Sequence, residues 1–413
     1  MHSGAERGSL PATETSPFAA MPPSRGELAH FCALVLDDTE LLHQLLPIKE
    51  LGPFVAQVLE TGRGRGFAFT AEDVQAAMRD RSLDAFGLGR LAETKLPPAG
   101  WLPIQTSWQD GRLYLHWAYF GAERLREPFY RGSVMVTLSA PFNRLFRHCT
   151  PIEGLAQWLE AHPPLRPEGF IFHLSRCGST LVSQMLAALD QNVVVSEAGP
   201  IDAVVQAALL RPDLSEDAHA LLLKWIVGAL GQPRHGDERH LFVKLDCWHT
   251  VALPLFRRAF PDVPWTFLYR DPVEILVSQL EMPGAQMIPG MVPLPLADIE
   301  RSLYPMKPEE YYAHVLARIC EPVAAHGSAG LLVNYRDLPS AVWTAIMPHF
   351  GMACSESDRA VMAQAARYDA KAPGFEFAAD SEAKQKAATA ATRAAVAQCL
   401  SGVYARLEAM RSR

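Results

Sequence analysis

Phe170-Ile-Phe-His-Leu-Ser-Arg-Cys-Gly-Ser-Thr-Leu-Val-Ser-Gln-Met-Leu186 carries the decisive pattern of this chain. An apolar run, Phe170–Leu174, leads into a polar turn, Ser175-Arg176-Cys177-Gly178-Ser179-Thr180. Leu181, Val182, Met185, Leu186 and Leu189 then follow at helical spacing. The pattern predicts a buried strand, a tight turn and a helix whose apolar face packs on a sheet. A strand–turn–helix of this kind aims backbone N–H groups and a helix N-terminus at one point, where a phosphate or sulfate group binds. A nucleotide-hydrolysing loop carries Gly-Lys-Ser/Thr, with the lysine on the outer phosphates. Here Ser179 follows Gly178, and the nearest cation is Arg176, two residues before the glycine. The turn suits an anion, but not the phosphates of ordinary ATP.

Downstream, short apolar runs alternate with helical patterns. Phe170–Leu174, Val193–Glu197, Leu241–Leu245, Trp265–Arg270 and Leu331–Tyr335 read as strands of a parallel sheet covered on both faces. Ligands of such sheets bind outside the carboxyl ends of the strands. Arg176, Glu197, Lys244 and Arg270 all fall there. Upstream, Trp101–Trp108, Arg112–Tyr119 and Ser133–Leu138 are aromatic and β-branched. Asp110-Gly111 marks a hairpin turn between the first two, which predicts a small antiparallel sheet with core aromatics. Thr150-Pro-Ile-Glu153 reads as the cap of a helix ending near Ala161. Earlier still, Phe31, Leu34, Val35, Leu41, Leu42, Leu45 and Leu46 recur at helical spacing. Thr70 and Asp73 form a capping pair for a helix through Met78. The fold class is therefore α/β: a P-loop-like parallel sheet flanked by helices, preceded by a small helical unit and a small antiparallel β unit. The expected divisions are a disordered stretch 1–25, a helical unit 26–95, a β unit with a linking helix 96–165, and the main domain 166–413. The Ala-rich stretch from Ser381 to Arg413 reads as a terminal helix.

The chain has 413 residues, 49% of them hydrophobic and 20% charged, and a net charge of −7. That balance argues against a general nucleic-acid surface. Seven cysteines without a Cys-x-x-Cys pair read as reduced thiols. No membrane span and no secretory signal are visible, so a cytoplasmic location is expected.

Set beside Tyr269-Arg-Asp-Pro-Val-Glu-Ile-Leu-Val-Ser278, the turn Arg176-Cys-Gly-Ser-Thr180 makes residues 166–345 resemble the sulfotransferase superfamily. The resemblance implies a sulfuryl donor, 3′-phosphoadenosine 5′-phosphosulfate, a bisphosphate product, 3′,5′-adenosine bisphosphate, and no metal. It places Ser175, Arg176, Cys177, Gly178, Ser179, Thr180 and Leu181 on the 5′-phosphosulfate. Arg270 and Ser278, eight residues apart, fall on the 3′-phosphate. Tyr335 and the basic residue Lys371 complete the cofactor set. Glu197 follows Arg176 by 21 residues, a spacing similar to that of the general base in the tyrosylprotein branch. Cys177 stands where serine is usual.

Chemistry agrees with these roles. Sulfuryl transfer places charge on the bridging oxygen of the leaving group, so catalysis comes from positioning and electrostatics. Arg176 offers a fork of donors, Lys244 a cation for the bridging oxygen, and Glu197 a base for the acceptor proton, a role worth about 10²–10⁴-fold. Each has a plainer reading: Glu197 and Lys244 as a structural ion pair, Cys177 as a small residue tolerated by close packing, His173 and His249 as satisfied core histidines. The expected acceptor is a small molecule, peptide or glycan. Gly66-Phe-Ala-Phe-Thr-Ala-Glu-Asp-Val74, within Phe31–Met78, resembles the leader region of a nitrogen-fixation-associated peptide family. That resemblance implies a leader-peptide partner through residues 28–80; the alternative is a helical bundle packed on the main domain. Met282–Pro293, rich in Gly, Pro and Met, suits a substrate lid or an ordinary surface loop. The competing functions are a P-loop kinase using ATP–Mg²⁺ and a non-catalytic binding module.

Overall fold

The structure, a computed structural model, describes residues 23–80, 93–292, 306–326, 329–376, 378 and 380–412. Expectations for residues 1–22 and for Pro293 lie outside them.

Five parallel strands build the main sheet: β4 (Pro167–His173), β5 (Asn192–Ser196), β6 (His240–Lys244), β7 (Trp265–Tyr269) and β8 (Leu331–Asn334), if β1 to β3 denote the upstream antiparallel strands Trp101–Gln109, Arg112–Tyr119 and His148–Pro151. Their order across the sheet is β5-β6-β4-β7-β8. Burial explains the apolar composition. Strands β5 and β7 are buried along their whole length, as a parallel sheet covered on both faces requires. On β4, Phe170 and Phe172 share one face and meet Phe256 edge-on, at 5.3 and 5.4 Å between ring centroids. The five strands coincide with the five sequence runs to within a few residues.

Because the strands are parallel, their carboxyl ends share one edge. Strand order then sets the order of the residues that follow them: Glu197, Lys244, the Ser175–Arg176 turn, Arg270, Tyr335. Five segments far apart in sequence thus converge, and β4 lies at the middle.

Upstream, Asp110 (φ 49°) and Gly111 (φ 75°) close the β1–β2 hairpin with both turn residues left-handed, as a two-residue loop of this twist requires. The third strand departs from expectation. Ser133–Leu138 is part of a helix, Tyr130–Ser139, and β3 pairs with β2 instead. Tyr130, Ser133, Val134 and Thr137 are buried while Met135 and Val136 are exposed, a helical period that the β-branched content masks. Thr150 is likewise no helix cap. It lies in β3, where its hydroxyl accepts from Trp117 Nε1 at 2.9 Å, and the helix Leu155–Ala161 starts after a 3₁₀ turn.

The N-terminal helices Pro23–Asp37, Thr39–Leu45, Leu51–Gly64 and Ala71–Asp80 close around Phe31. Its ring lies 5.7 Å from Phe67, 5.2 Å from Phe69 and 6.4 Å from Phe146 of the main body. Thr70 and Asp73 cap each other's backbone as expected: Thr70 N–H donates to Asp73 at 2.9 Å and Asp73 N–H to Thr70 Oγ1 at 3.2 Å. The buried side chains of this unit and of the main domain belong to one continuous cluster.

The C-terminal stretch is three helices rather than one: Ser381–Ala387, Ala390–Cys399 and Ser401–Arg411. Glu408 on the last accepts hydrogen bonds from Tyr269, Asn334 and Arg336, tying that helix to the ends of β7 and β8.

Candidate functional site

The turn after β4 is left-handed at three positions, Ser175 (φ 60°), Arg176 (φ 50°) and Gly178 (φ 83°). Two are not glycine, a strain of about 1–3 kcal/mol each that persists only where the surroundings enforce it. The enforcing contacts are present. Ser175 N–H donates to His173 Nδ1 at 3.0 Å, and Ser175 Oγ accepts from Gln279 at 2.9 Å and from Gln286 at 3.3 Å. Arg176 Nε donates to Ser278 Oγ at 2.8 Å. At Gly178 a Cβ would fall 2.7 Å from Leu338 Cδ1 and 2.9 Å from Tyr335, so the close approach itself demands glycine.

Asp271-Pro272 explains why a helix begins after Arg270. The Asp271 carboxylate accepts from the N–H groups of Val273 and Glu274, and Pro272 sits where no N–H is needed. That helix, Pro272–Glu281, then serves the site three times. Glu274 holds Arg270, Ser278 holds Arg176 and Gln279 holds Ser175.

Glu197 follows β5 in a left-handed conformation (φ 51°), and its N–H extends the ladder to Lys244 O at 2.8 Å. Its carboxylate forms an ion pair with Lys244 Nζ, whose side chain is fully buried. His173 Nε2 lies 3.3 Å from the same oxygen. Since His173 Nδ1 accepts from Ser175, the ring proton is on Nε2, facing Glu197; burial holds this imidazole neutral. Burial opposes ionisation of Glu197, but the Lys244 ammonium and the His173 contact outweigh it, and the carboxyl titrates well below its usual range. The Phe129 ring lies 5.0 Å from Lys244 Nζ and 5.8 Å from Lys371 Nζ.

Arg270 is buried over the Tyr335 ring, 4.1 Å from its centroid. Besides Glu274 it contacts Asp380 at 2.6 Å and Ser381 Oγ at 3.0 Å. Lys371 sits at the turn of a small hairpin, β9 (Tyr368–Asp369) with β10 (Ala372–Glu376). Burial and the charges of Arg176 and Lys244 lower its pKa.

These groups line one cavity of about 540 Å³, together with Trp248, Met282, Pro283 and Lys384. Every site residue named from the sequence borders it except Lys244, which reaches it from beneath through Glu197. Arg270 and Ser278, expected together on one phosphate, do not touch each other: Ser278 contacts Arg176, and the partners of Arg270 are carboxylates and Ser381. Cys177 donates to Leu268 O at 3.2 Å, and burial pushes its thiol up to about 11, which suits a packing role. His249 bonds Asp202 at 2.8 Å, away from Glu197. Phe129, Gln279, Gln286, Asp380, Ser381 and Lys384 were not read as site residues. Gln279, the neighbour of Ser278 on one helix, and Gln286, inside the Met282–Pro293 stretch, carry local signals; the others do not.

No family model and no curated protein matches the chain. Solved structures similar to it include the sulfotransferase domain of the curacin biosynthetic pathway, at 14% identity and a TM-score of 0.35 over 57% of this chain and 98% of that one. The sulfotransferase domain of the Synechococcus PCC 7002 olefin synthase gives 14% and 0.33 over 61% and 95%. A sulfotransferase from Mycobacterium tuberculosis H37Rv gives 16% and 0.32 over 58% and 82%. The side chains of the cavity, rather than this overlap, carry the functional reading.

Proposed function

We propose that this chain moves a sulfuryl group from 3′-phosphoadenosine 5′-phosphosulfate to a hydroxyl of a peptide, natural product or glycan. The observation behind the proposal is the ionised Glu197 carboxylate, paired with Lys244 beside an anion-binding turn that holds Arg176 and has no lysine after its glycine.

The donor set fits such a ligand. Arg176, Arg270, Lys371 and Lys384 line the cavity with the turn residues 175–181, and Lys244 lies behind Glu197. Residues 175–181 would hold the phosphosulfate end, and Arg270 with Ser278 the 3′-phosphate. The bound donor supplies a good leaving group, a phosphate oxygen. Glu197 takes the acceptor's proton. Lys244 and Arg176 neutralise charge where it grows, preorganised and shielded from water. In the resting arrangement Lys244 weakens Glu197 as a base; movement of the ammonium toward the leaving oxygen restores that basicity. Phe129 and Trp248, which line the cavity, would offer the acceptor an apolar wall.

Calorimetric titration with 3′,5′-adenosine bisphosphate and, separately, ATP–Mg²⁺ tests the reading. Tight bisphosphate binding lost in Arg176→Ala, with little ATP affinity, supports it. ATP–Mg²⁺ binding alone would replace it with phosphoryl transfer. One observation favours that second reading: ligand atoms of Asp202, Asp246 and His249 lie within 4.8 Å of one another, and Asp246 borders the cavity. Ser179 in the place of the P-loop lysine counts against it.

A further inference from the structure

Arg270 and Lys384 converge on a single carboxylate. Asp380 Oδ1 accepts from Arg270 Nη2 at 2.6 Å, and Oδ2 pairs with Lys384 Nζ. Ser381 Oγ also accepts from Arg270 Nη2, at 3.0 Å. The two cations are built in, with side chains 5% and 13% exposed, whereas the Asp380 side chain is 42% exposed and borders the cavity. Asp380 is the N-cap residue of the helix Ser381–Ala387, yet its side chain makes no capping bond; the carboxylate instead bridges Arg270 and Lys384, the latter one turn along the same helix. One oxygen on a guanidinium and the other on an ammonium is how an oxyanion of a ligand is gripped.

We propose that Asp380 is a resident anion standing in for a ligand phosphomonoester, and that Lys384 and Ser381, with Arg270, form the site for that second anionic group. This rests on the donor reading above, because it requires a ligand with two separated anions. A dianionic phosphate outcompetes one carboxylate for the cation pair. Asp380, already at the cavity surface, swings into water while Glu274 keeps hold of Arg270 Nε.

The test is calorimetry of 3′,5′-adenosine bisphosphate and of 5′-adenosine monophosphate, which lacks the 3′ group, with the full chain, Asp380→Asn and Lys384→Met. Asparagine keeps the shape and removes the competing charge. Asp380→Asn is expected to tighten the bisphosphate by about tenfold and to leave the monophosphate within about twofold, and Lys384→Met to weaken the bisphosphate by about tenfold. If Asp380→Asn leaves bisphosphate affinity unchanged or lowers it, Asp380 is a brace for Lys384 and the proposal falls while the donor reading stands. If neither the wild type nor Asp380→Asn binds the bisphosphate, the donor reading falls and takes the proposal with it.

Discussion

Arg176 and Ser278 are joined across 102 positions of sequence by one hydrogen bond, Nε to Oγ at 2.8 Å, which clamps the turn after β4 to the helix that follows Arg270. The donor is charged and the acceptor buried, so the bond is of the stronger kind. Ser278→Ala is expected to cost about 1–2 kcal/mol in urea unfolding. The same change should weaken bisphosphate binding severalfold, because Arg176 loses its aim. Unchanged stability and binding would show that Arg176 needs no such clamp.

Glu197 and Lys244 form a pair in which one side chain is fully buried. Removing either partner strands the other charge. Glu197→Gln and Lys244→Met should each destabilise by about 3–5 kcal/mol, and the double variant by much less than their sum. Chemical denaturation of the four proteins measures the coupling. Additive losses would mean that the two charges are independently solvated.

Asp246 is pushed up to about 7, by burial first and then by the nearby Glu197 and Asp202 carboxylates, against the pull of His249. A raised carboxyl pKa means the folded state holds a proton that the unfolded state has released. Its stabilising contribution is full below the unfolded value, about 3.9, and is lost as pH rises through 7. The stability gain of Asp246→Asn over wild type should therefore grow between pH 4 and pH 8 and level off above. Urea unfolding across that range checks it, and a constant difference would contradict it.

Gly178 combines a left-handed φ of 83° with a Cβ position 2.7 Å from Leu338. Gly178→Ala should cost at least about 1–2 kcal/mol from backbone conformation alone. The turn must also shift, so bisphosphate binding should vanish in calorimetry even where circular dichroism shows a folded protein. Wild-type affinity in this variant would remove the turn from the ligand site.

What the sequence made legible was governed by local periodicity. The five buried strands are short apolar runs bounded by turns, the Asp110-Gly111 hairpin is set by two residues, and the Thr70–Asp73 cap lies within one helical turn. Because parallel strands share an edge, Arg176, Glu197, Lys244 and Arg270 could be placed together without knowing the strand order. The Tyr130–Ser139 helix was illegible because Val134, Val136 and Thr137 favour strands, and only packing on the neighbouring helix and β2 overrides them. Asp380, Ser381 and Lys384 were illegible for another reason. Asp380 and Ser381 meet Arg270 from 110 and 111 positions away, Lys384 joins through Asp380, and no periodicity encodes that meeting.

Gln279 uses both ends of its amide. Nε2 reaches Ser175 in the turn, and Oε1 takes the N–H of Gly284 at 2.9 Å. The rim of the cavity is thus hung from the same buried side chain that shapes the turn after β4. Beyond that anchor, Ile288 and Met291 are exposed, and Met282 precedes it. The rim is a replaceable cassette on a fixed hook: its outer residues can be exchanged while the turn and the cations behind them keep their geometry.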